Sequence, residues 1–591
     1  MSDRPPSDGA PDAGDVAATF CATLVDEWVR CGLTDAVVAP GSRSTPMALA
    51  LVRDDRMRVH VFHDERSAAF CALGLGLATG RPALVLCTSG TAAVELHPAV
   101  VEAHQAAVPM LAVTADRPPE LIGVGAPQTI EQRELYGAAA RWYCEPGPPT
   151  LDGSVWWRDL ARDAWHRTSG TLPGPVHVNL AFREPLIGSP FALPPARDPL
   201  PPAVPGARWG LMDEDVARIT SAISGRTGVI VAGVRSATGV PKAAADDADA
   251  ILELAGALGW PILADGPSGV REPSPAVVST FDAILRSRVF AASHRPEVVI
   301  RFGGLLASKV TNQWLASSGA HQIAIDRFGR SPDPDGVVAH SFTSEIAMAC
   351  DQIVAALPDP APDSWTHDWQ VADASAWRAI ITMLSRSGDA SEPAVALDVV
   401  ALVPDEGTVV VSSSMPVRDV EAFAVPREGV RIFSNRGANG IDGVTSTAVG
   451  VALSGAPTVL LTGDVAFLHD SNGLIGAGRR DLSMVVVVVD NDGGGIFHFL
   501  PQRDELPPEQ FETLFGTPHG VDIAATAEAL GLPVDRVNTR AGLQAAIAGA
   551  LTRGGTRVVV VRSDREANVA VHSAISEAVV AAVDGGATSG R

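Results

Sequence analysis

Two polar residues stand at the ends of two predicted buried strands in the last third of the chain. The segment 458–464 (TVLLTGD) ends in Asp464, and the segment 484–491 (MVVVVVDN) ends in Asn491. Because the carboxyl ends of neighbouring parallel strands line one crevice, we expect these two side chains to lie side by side. A carboxylate and an amide oxygen suit a hard cation such as Mg²⁺, which adds water, a backbone carbonyl and phosphate oxygens.

A glycine run follows the second of these strands. Gly493, Gly494 and Gly495 would let the backbone approach a diphosphate closely. Taken alone, either the Gly-Asp at 463–464 or the Asn and glycines at 491–495 is typical of an ordinary turn after a strand. Together, with Asp464 and Asn491 27 residues apart and each in a strand context, they predict a metal–diphosphate site.

An acidic residue in the first part of the chain is a candidate for proton chemistry. The predicted strand 59–62 leads through 63–67 (HDERS) into an alanine-rich helical segment. Glu65, at the end of a strand and beside apolar neighbours, could be held next to a ring nitrogen of a ligand. Taken alone, its position is typical of an acid that complements a helix dipole.

Four arginines stand just after predicted strands or in glycine-rich turns. These are Arg43, Arg117, Arg418 and Arg436. The segment 40–46 (PGSRSTP) also opens a helix, where backbone N–H groups favour an anion. A guanidinium matches a carboxylate in a bidentate way, so an arginine at such a position is suited to bind an anionic ligand. For any single arginine the alternative is a surface ion pair.

The elements that must position these residues follow an α/β pattern. Short Val/Ile/Leu runs without alternation predict strands buried on both faces of parallel sheets covered by helices. Two proline-rich stretches, 185–205 and 357–363, divide the chain. They predict three doubly wound domains, at 15–185, 206–356 and 392–580. The predicted strands are 36–39, 59–62, 83–86, 110–113, 229–231, 298–300, 409–411, 459–461, 485–489 and 558–561.

Composition excludes several classes of protein. The 591 residues carry a formal net charge of −23, which argues against a nucleic-acid or anionic-membrane binder. The longest aliphatic run, 484–489, is far too short to span a membrane. Six scattered cysteines, no C-x-x-C and a polar N-terminus predict a reduced, cytoplasmic protein. Only Lys242 and Lys309 of the 45 basic residues are lysines, which coding bias explains for the most part.

Longer motifs carry a resemblance to a known family. The spacing from Asp464 to Asn491 is similar to the signature of thiamine diphosphate enzymes, with Val465 where the usual form has a glycine. The segments 114–121 (TADRPPEL) and 434–443 (SNRGANGIDG) closely resemble the 2-succinyl-5-enolpyruvyl-6-hydroxy-3-cyclohexene-1-carboxylate synthases of menaquinone biosynthesis, as do 40–46 and 491–497. The resemblance runs from about residue 20 to about 565 and is weakest in the middle domain.

The resemblance implies a cofactor and the residues that hold it. Asp464, Asn491 and the carbonyl of Gly493 would bind Mg²⁺, or Mn²⁺, on the diphosphate of thiamine diphosphate. Glu65 would bond the aminopyrimidine N1′ and so activate the cofactor. Ile441 would be the apolar wedge that bends the cofactor into its V shape.

The implied reaction is decarboxylation of 2-oxoglutarate and 1,4-addition of the succinyl-semialdehyde carbanion to isochorismate. The residues that would hold substrate or intermediate are Ser42, Arg43, Arg117, Gln128, Ser414, Arg418, Arg436, Ile496 and Phe497. Lys309 also resembles a substrate-facing lysine, but the family form has a Lys-Arg pair and here Val310 follows. Two interpretations of Lys309 are therefore equally supported: it contacts substrate, or it is an ordinary solvent-exposed lysine.

The resemblance also implies a homo-oligomer. Glu65 and Asp464, in different domains, would meet on one cofactor across a subunit interface, so a dimer or a dimer of dimers is expected. Two alternatives stay open. One is another thiamine diphosphate enzyme, such as a 2-oxoacid decarboxylase or an acetohydroxyacid synthase. The other is a non-catalytic binding protein of the same fold, which should have lost the acid or the metal ligands.

Overall fold

Three six-stranded sheets organise the chain. The computed structural model describes residues 12–196, 209–234, 241–357 and 362–588. The chain divides into two compact units, Met1–Gly206 with the first sheet and Ala207–Arg591 with the other two. Paired strands run parallel in all three sheets, which confirms the predicted α/β class with doubly wound parallel sheets.

The first unit contains one sheet in the order β2-β1-β3-β4-β6-β5. Its strands are β1 (Asp35–Val38), β2 (Arg58–Val61), β3 (Ala83–Cys87), β4 (Met110–Asp116), β5 (Trp142–Cys144) and β6 (Pro175–Ala181). Its helices are α1 (Ala13–Cys31), α2 (Thr45–Arg53), α3 (Glu65–Thr79), α4 (Thr91–Glu95), α5 (His97–Ala106) and α6 (Trp157–Thr168).

The second unit begins with a sheet in the order β12-β11-β10-β7-β8-β9. Its strands are β7 (Gly228–Ala232), β8 (Ile262–Ala264), β9 (Val277–Val278), β10 (Val298–Phe302), β11 (His321–Asp326) and β12 (Val338–Thr343). Its helices are α7 (Asp213–Ile223), α8 (Pro241–Leu258), α9 (Phe281–Ile284), α10 (Arg288–Ser293), α11 (Lys309–Ser317), α12 (Ile346–Ala355) and α13 (Asp363–Leu384).

The third sheet has the order β14-β13-β15-β16-β18-β17. Its strands are β13 (Thr408–Val411), β14 (Arg431–Phe433), β15 (Thr458–Gly463), β16 (Ser483–Asp490), β17 (Val534–Val537) and β18 (Gly555–Arg562). Its helices are α14 (Glu392–Leu402), α15 (Met415–Phe423), α16 (Val444–Ala452), α17 (Asp464–His469), α18 (Gln502–Glu505), α19 (Pro508–Phe511), α20 (Ile523–Ala529), α21 (Arg540–Arg553) and α22 (Arg565–Thr588).

The first and third sheets repeat one strand order, and this order decides where a site can form. In each, the first and third strands are neighbours, and the chain leaves them toward opposite edges. A crevice opens at the carboxyl ends of the strands where the order reverses. We therefore expect ligand contacts after β1 and β3 in the first sheet, and after β13 and β15 in the third.

Burial of both faces of β16 explains why apolar and polar residues do not alternate in its sequence. Val485 and Val487 on one face and Val486 and Val488 on the other are all buried. A strand covered by helices on both faces needs apolar side chains on both.

The predicted domain boundaries stay a prediction. Part of each proline-rich stretch, 197–205 in the first and 358–361 in the second, lies outside the described residues, as does 589–591 of the C-terminal tail. No helix within the described part of the chain is both long enough and apolar enough to cross a membrane.

A buried ion-pair network joins α1 to α6. The Glu27 side chain is fully buried and accepts hydrogen bonds from Arg158 and Arg162. The adjacent Trp28 indole donates to the carbonyl of Ala161 at 3.0 Å. Buried guanidinium groups need a counter-charge, so this carboxylate fixes how the two helices pack.

Replacing Glu27 should therefore destabilise the first unit strongly. We expect Glu27→Ala to lower the free energy of unfolding by about 3 kcal/mol, because it removes the fully buried carboxylate that accepts from both guanidinium groups, although Arg158 keeps its ion pair with Asp26. The control is Glu120→Ala, which removes an exposed pair with Arg183 and should leave stability unchanged. Urea unfolding followed by circular dichroism measures both; equal losses would contradict the role of the network.

Candidate active site

Asp464 and Asn491 lie together at the carboxyl ends of β15 and β16. The two strands are neighbours, with Gly463 opposite Val489. The Asn491 backbone N–H donates to Asp464 Oδ2 at 3.1 Å, and the Gly493 N–H donates to the same oxygen at 3.0 Å. The structure thus brings the three predicted metal ligands together at the ends of two neighbouring strands.

The Asp464 carboxylate is buried, with 2% of the residue exposed. Burial raises its pKa above the usual range, although hydrogen bonds from Gly493, Val465 and His519 oppose the rise. Removing a carboxylate from water disfavours its charged form, and a bound cation offsets that cost.

The Asn491 amide offers an oxygen with no partner. Its Nδ2 donates to Glu392 Oε1 at 3.1 Å, whereas its Oδ1 is buried without a hydrogen-bond partner among the described residues. An unsatisfied amide oxygen in the turn that holds a buried carboxylate is the kind of donor that Mg²⁺ takes. The residues present therefore fit a hard divalent cation.

The turn 493–495 requires glycine for packing as well as for the predicted approach to a diphosphate. A Cβ on Gly493 would lie 2.0 Å from the carbonyl oxygen of Gly516, and φ at Gly493 is +136°. A Cβ on Gly494 would lie 2.1 Å from the carbonyl oxygen of Phe515. The turn therefore needs glycine to pack against its own chain. The Gly493 carbonyl accepts from Gly495 N–H at 3.0 Å, and its second lone pair is left for a cation.

His519 lies at this site and was missed in the sequence. Its Nε2 lies 3.2 Å from Asp464 Oδ2, and its backbone N–H donates to Asp492 Oδ1 at 3.0 Å. Asp464, Asp490 and His519 offer potential ligand atoms within 4.8 Å of one another. Only tertiary structure brings His519 to Asp464, 55 residues away along the chain, so no local motif indicates it.

Glu392 is a second residue that sequence reasoning missed. It opens α14 and is buried, and its Oε1 accepts from Asn491 Nδ2 and from Ser563 Oγ at 2.9 Å. Burial, and next the nearby Asp419, raise its pKa to about 7. The proline after Glu392 marks a helix start in the sequence, but nothing there points to Asn491.

In the first unit, Glu65 begins α3. Asp64 caps this helix by accepting from Ser67 N–H at 3.1 Å. Glu65 is half-buried, and its charge adds to burial in raising the pKa of Cys87, the last residue of β3. Glu65 therefore lies near the strand end where the order of this sheet reverses.

Two residues predicted to hold substrate, Arg117 and Gln128, contact Ser89, which follows β3 and was not predicted. Arg117 Nη1 donates to Ser89 Oγ at 2.6 Å. Gln128 Nε2 donates to the Ser89 carbonyl at 3.1 Å, and Gln128 has a φ of +54°. Ser42 lies exposed in the same β1 turn as Arg43.

Arg43 and Arg117 concentrate positive charge. Arg43 is buried, donates to the Phe182 carbonyl at 3.0 Å, and keeps a buried Nε without a partner among the described residues. Burial, and next the charge of Arg43, lower the pKa of Arg117. A bound carboxylate would offset the repulsion that Arg43 exerts on the charged form of Arg117.

In the second unit, Arg418 and Arg436 lie close to one another. Burial and the charge of Arg436 lower the pKa of Arg418. Arg418 Nη1 also donates to the carbonyl of Ser414, which has a φ of +78° before α15. Arg436 in turn acts on buried Asp265 of the middle sheet, opposing the rise in its pKa that burial causes.

The remaining predicted residues occupy turns of the second unit. Ile441 is half-buried between β14 and α16, and Ile496 and Phe497 are half-buried in the short helix Gly495–Phe499. The Phe497 and Phe515 rings lie 5.3 Å apart.

Lys309 is exposed at the start of α11. Two residues before it, the Ala307 N–H donates to Glu421 Oε2 at 2.9 Å, on the same helix, α15, as Arg418. This bond ties the Lys309 segment to α15, and contact of Lys309 with substrate stays a prediction.

Family models of thiamine pyrophosphate enzymes match three segments of the chain. The family model "Thiamine pyrophosphate enzyme, N-terminal TPP binding domain" matches residues 18–135. "Middle domain of thiamine pyrophosphate" matches 215–411, and "Thiamine pyrophosphate enzyme, C-terminal TPP binding domain" matches 423–561.

A solved chain from Mycobacterium smegmatis, described as a thiamin diphosphate-dependent enzyme, is similar in fold. The TM-score is 0.67 at 19% identity, over 92% of this chain and 99% of that one.

Full-length relatives narrow the family. Proteins named 2-succinyl-5-enolpyruvyl-6-hydroxy-3-cyclohexene-1-carboxylate synthase from Thermobifida fusca and Myxococcus xanthus are each 40% identical to this chain. The alignments cover 95% of this chain and 98% of the first relative, and 93% and 95% for the second. A Geobacillus kaustophilus protein of the same name is 38% identical over 94% of this chain. The chain therefore belongs to the 2-succinyl-5-enolpyruvyl-6-hydroxy-3-cyclohexene-1-carboxylate synthase family of thiamine diphosphate enzymes.

Proposed function

We propose that this protein decarboxylates 2-oxoglutarate and adds the remaining four-carbon unit to isochorismate, a step of menaquinone biosynthesis. The observation that carries the proposal is the buried Asp464 carboxylate, bonded by the turn that carries Asn491 and its unsatisfied amide oxygen. The identity to the named synthases, 40% over nearly the full chain, supports the specific reaction.

Different residues would have different roles toward the cofactor. Thiamine diphosphate, when bound, supplies an electron sink for decarboxylation of a 2-oxoacid. Asp464, Asn491 and the Gly493 carbonyl would hold Mg²⁺, or Mn²⁺, against its diphosphate. Glu65 would hold a proton at the aminopyrimidine N1′, and Ile441 would support the bent cofactor.

The arginines would receive the substrate carboxylates. The two proposed substrates bring four carboxylates, and a buried carboxylate requires a paired cation. Arg43 and Arg117 supply this charge in the first unit, and Arg418 and Arg436 in the second. The polar and apolar residues that would complete the substrate contacts are Ser42, Gln128, Lys309, Ser414, Ile496 and Phe497.

Two alternatives receive less support. A non-catalytic relative has no need of a buried metal carboxylate, and this chain retains Glu65, Asp464 and Asn491 together. An acetohydroxyacid synthase or 2-oxoacid decarboxylase acts on smaller or less charged acids, and needs no such set of arginines.

Assembly and location complete the proposal. We infer a homodimer or a dimer of dimers, because the family resemblance implies that Glu65 and Asp464 serve one cofactor from different subunits. None of the six cysteines forms a disulfide, in keeping with a reducing compartment, and we place the reaction in the cytoplasm.

Omitting each component in turn tests the reaction. The protein is freed of metal, then incubated with thiamine diphosphate, Mg²⁺, 2-oxoglutarate and isochorismate, and the product is identified by mass. We expect the adduct only when all four are present, because each has a separate role. Turnover of pyruvate alone, without any adduct from the proposed pair, would favour the decarboxylase alternative.

Glu65→Gln tests the proposed proton carrier. We expect CO₂ release from 2-oxoglutarate to fall by about 100-fold or more, because an amide cannot move the proton. Thermal unfolding should be nearly unchanged. The control is Asp159→Asn, which removes another first-turn acid in the same unit. If Glu65 only complements a helix dipole, both variants will retain activity.

Arg117→Ala tests the proposed carboxylate site. Losing a charged hydrogen bond should raise KM for the substrate it holds by about 10- to 100-fold. The control is Arg133→Ala, which removes the same charge from an exposed side chain paired with half-buried Glu145. Steady-state kinetics on both substrates measures the change; an equal effect of the two variants would show that only net charge matters.

A further inference from the structure

Glu392 is a buried carboxylate, and its position at the start of a helix does not explain why it is buried. It is the first residue of α14, where an acid usually stays in water and complements the helix dipole. Instead, only 4% of the residue is exposed. A carboxylate taken out of water needs specific hydrogen bonds, so the partners of Glu392 indicate its role.

Both donors to Glu392 bond the same oxygen. Asn491 Nδ2 lies 3.1 Å from Oε1, and Ser563 Oγ lies 2.9 Å from it. Ser563 directly follows β18, the strand beside β16, whose end carries Asn491. The carboxylate therefore bridges the ends of two neighbouring strands.

This bridge decides which end of the Asn491 amide faces away from Glu392. Glu392 Oε1 is the acceptor in both bonds, so it binds the amide NH₂ and cannot bind the amide oxygen. With Nδ2 fixed on Glu392, Oδ1 must point elsewhere. It is the Oδ1 atom that is buried without a partner among the described residues.

The neighbouring glycine accommodates this arrangement. A Cβ on Gly495 would lie 2.6 Å from Asn491 Nδ2. The backbone therefore leaves space for the amide in the orientation that Glu392 selects.

We propose that Glu392 is a positioning residue that fixes the Asn491 amide so that Oδ1 is presented to the divalent cation. The inference rests on the proposed role of Asn491 as a metal ligand. Partners that orient a ligand in this way commonly change metal affinity by about 10- to 100-fold when removed. Glu392 itself touches neither metal nor substrate in this proposal.

Metal affinity tests the inference without measuring turnover. The probe is Mn²⁺ with saturating thiamine diphosphate, and the signal of free Mn²⁺ in electron paramagnetic resonance gives the dissociation constant. We expect Glu392→Ala to weaken Mn²⁺ binding by about 10- to 100-fold. Glu392→Gln should bind within about threefold of the wild type, since its Oε1 still accepts from Asn491 and Ser563.

Three controls separate orientation from other effects. Asp213→Ala removes the first residue of another helix in the same unit and should leave the Mn²⁺ affinity unchanged. Asn491→Ala removes the ligand itself and should weaken binding at least as much as Glu392→Ala does. If Glu392→Ala does not fold, Glu392→Met, which fills the space without an acceptor, takes its place.

The outcomes distinguish this inference from the proposed function. If the wild type binds Mn²⁺ and Asn491→Ala loses it while Glu392→Ala binds normally, the positioning role is overturned and the metal site stands. Equal weakening by Glu392→Gln and Glu392→Ala would also overturn positioning, because charge alone would then matter. If the wild type binds no Mn²⁺, the metal site fails and the inference fails with it.

Discussion

The Asp464 carboxylate is the constraint on which the site of the second unit depends. It is held out of water by hydrogen bonds from the turn after the neighbouring strand. Those bonds fix the turn that carries Asn491 and Gly493, so the carboxylate organises the backbone even before a cation arrives. A cation then offsets a desolvation cost that the backbone bonds offset only in part.

One strand order serves two kinds of chemistry in this chain. The first and third sheets have the same topology, yet the turns at the carboxyl ends of their inner strands differ. The first places Arg43, Ser89 and Arg117 there and so presents positive charge. The third places Asp464 and Asn491 there and presents oxygen atoms. Chemistry is therefore set by the few residues that leave the strands, while the sheet supplies only the position.

The sequence predicts features that are local along the chain and misses features that tertiary structure creates. The buried strands, and the meeting of Asp464 with Asn491, follow from apolar runs and from the geometry of parallel sheets. His519, Glu392 and Ser89 carry no such pattern, because their partners are distant in sequence or are backbone atoms. A lone histidine or glutamate in a helix or loop has many ordinary explanations, and only its neighbours select among them.

The middle sheet shows why fold alone does not make a site. Its strand order reverses between β7 and β10, so a crevice is expected after those strands as well. There, within the described residues, the two turns contact each other through their backbones: Gly304 N–H donates to the Val234 carbonyl at 2.8 Å. A Cβ on Gly233 would lie 1.9 Å from the Gly304 carbonyl oxygen. Glycine in this sheet lets the chain close on itself, whereas the turn after β16 uses glycine to present Asn491 and Gly493 beside Asp464. The same residue type thus closes one turn and shapes another, and the neighbouring carboxylate decides which turn can hold a cation.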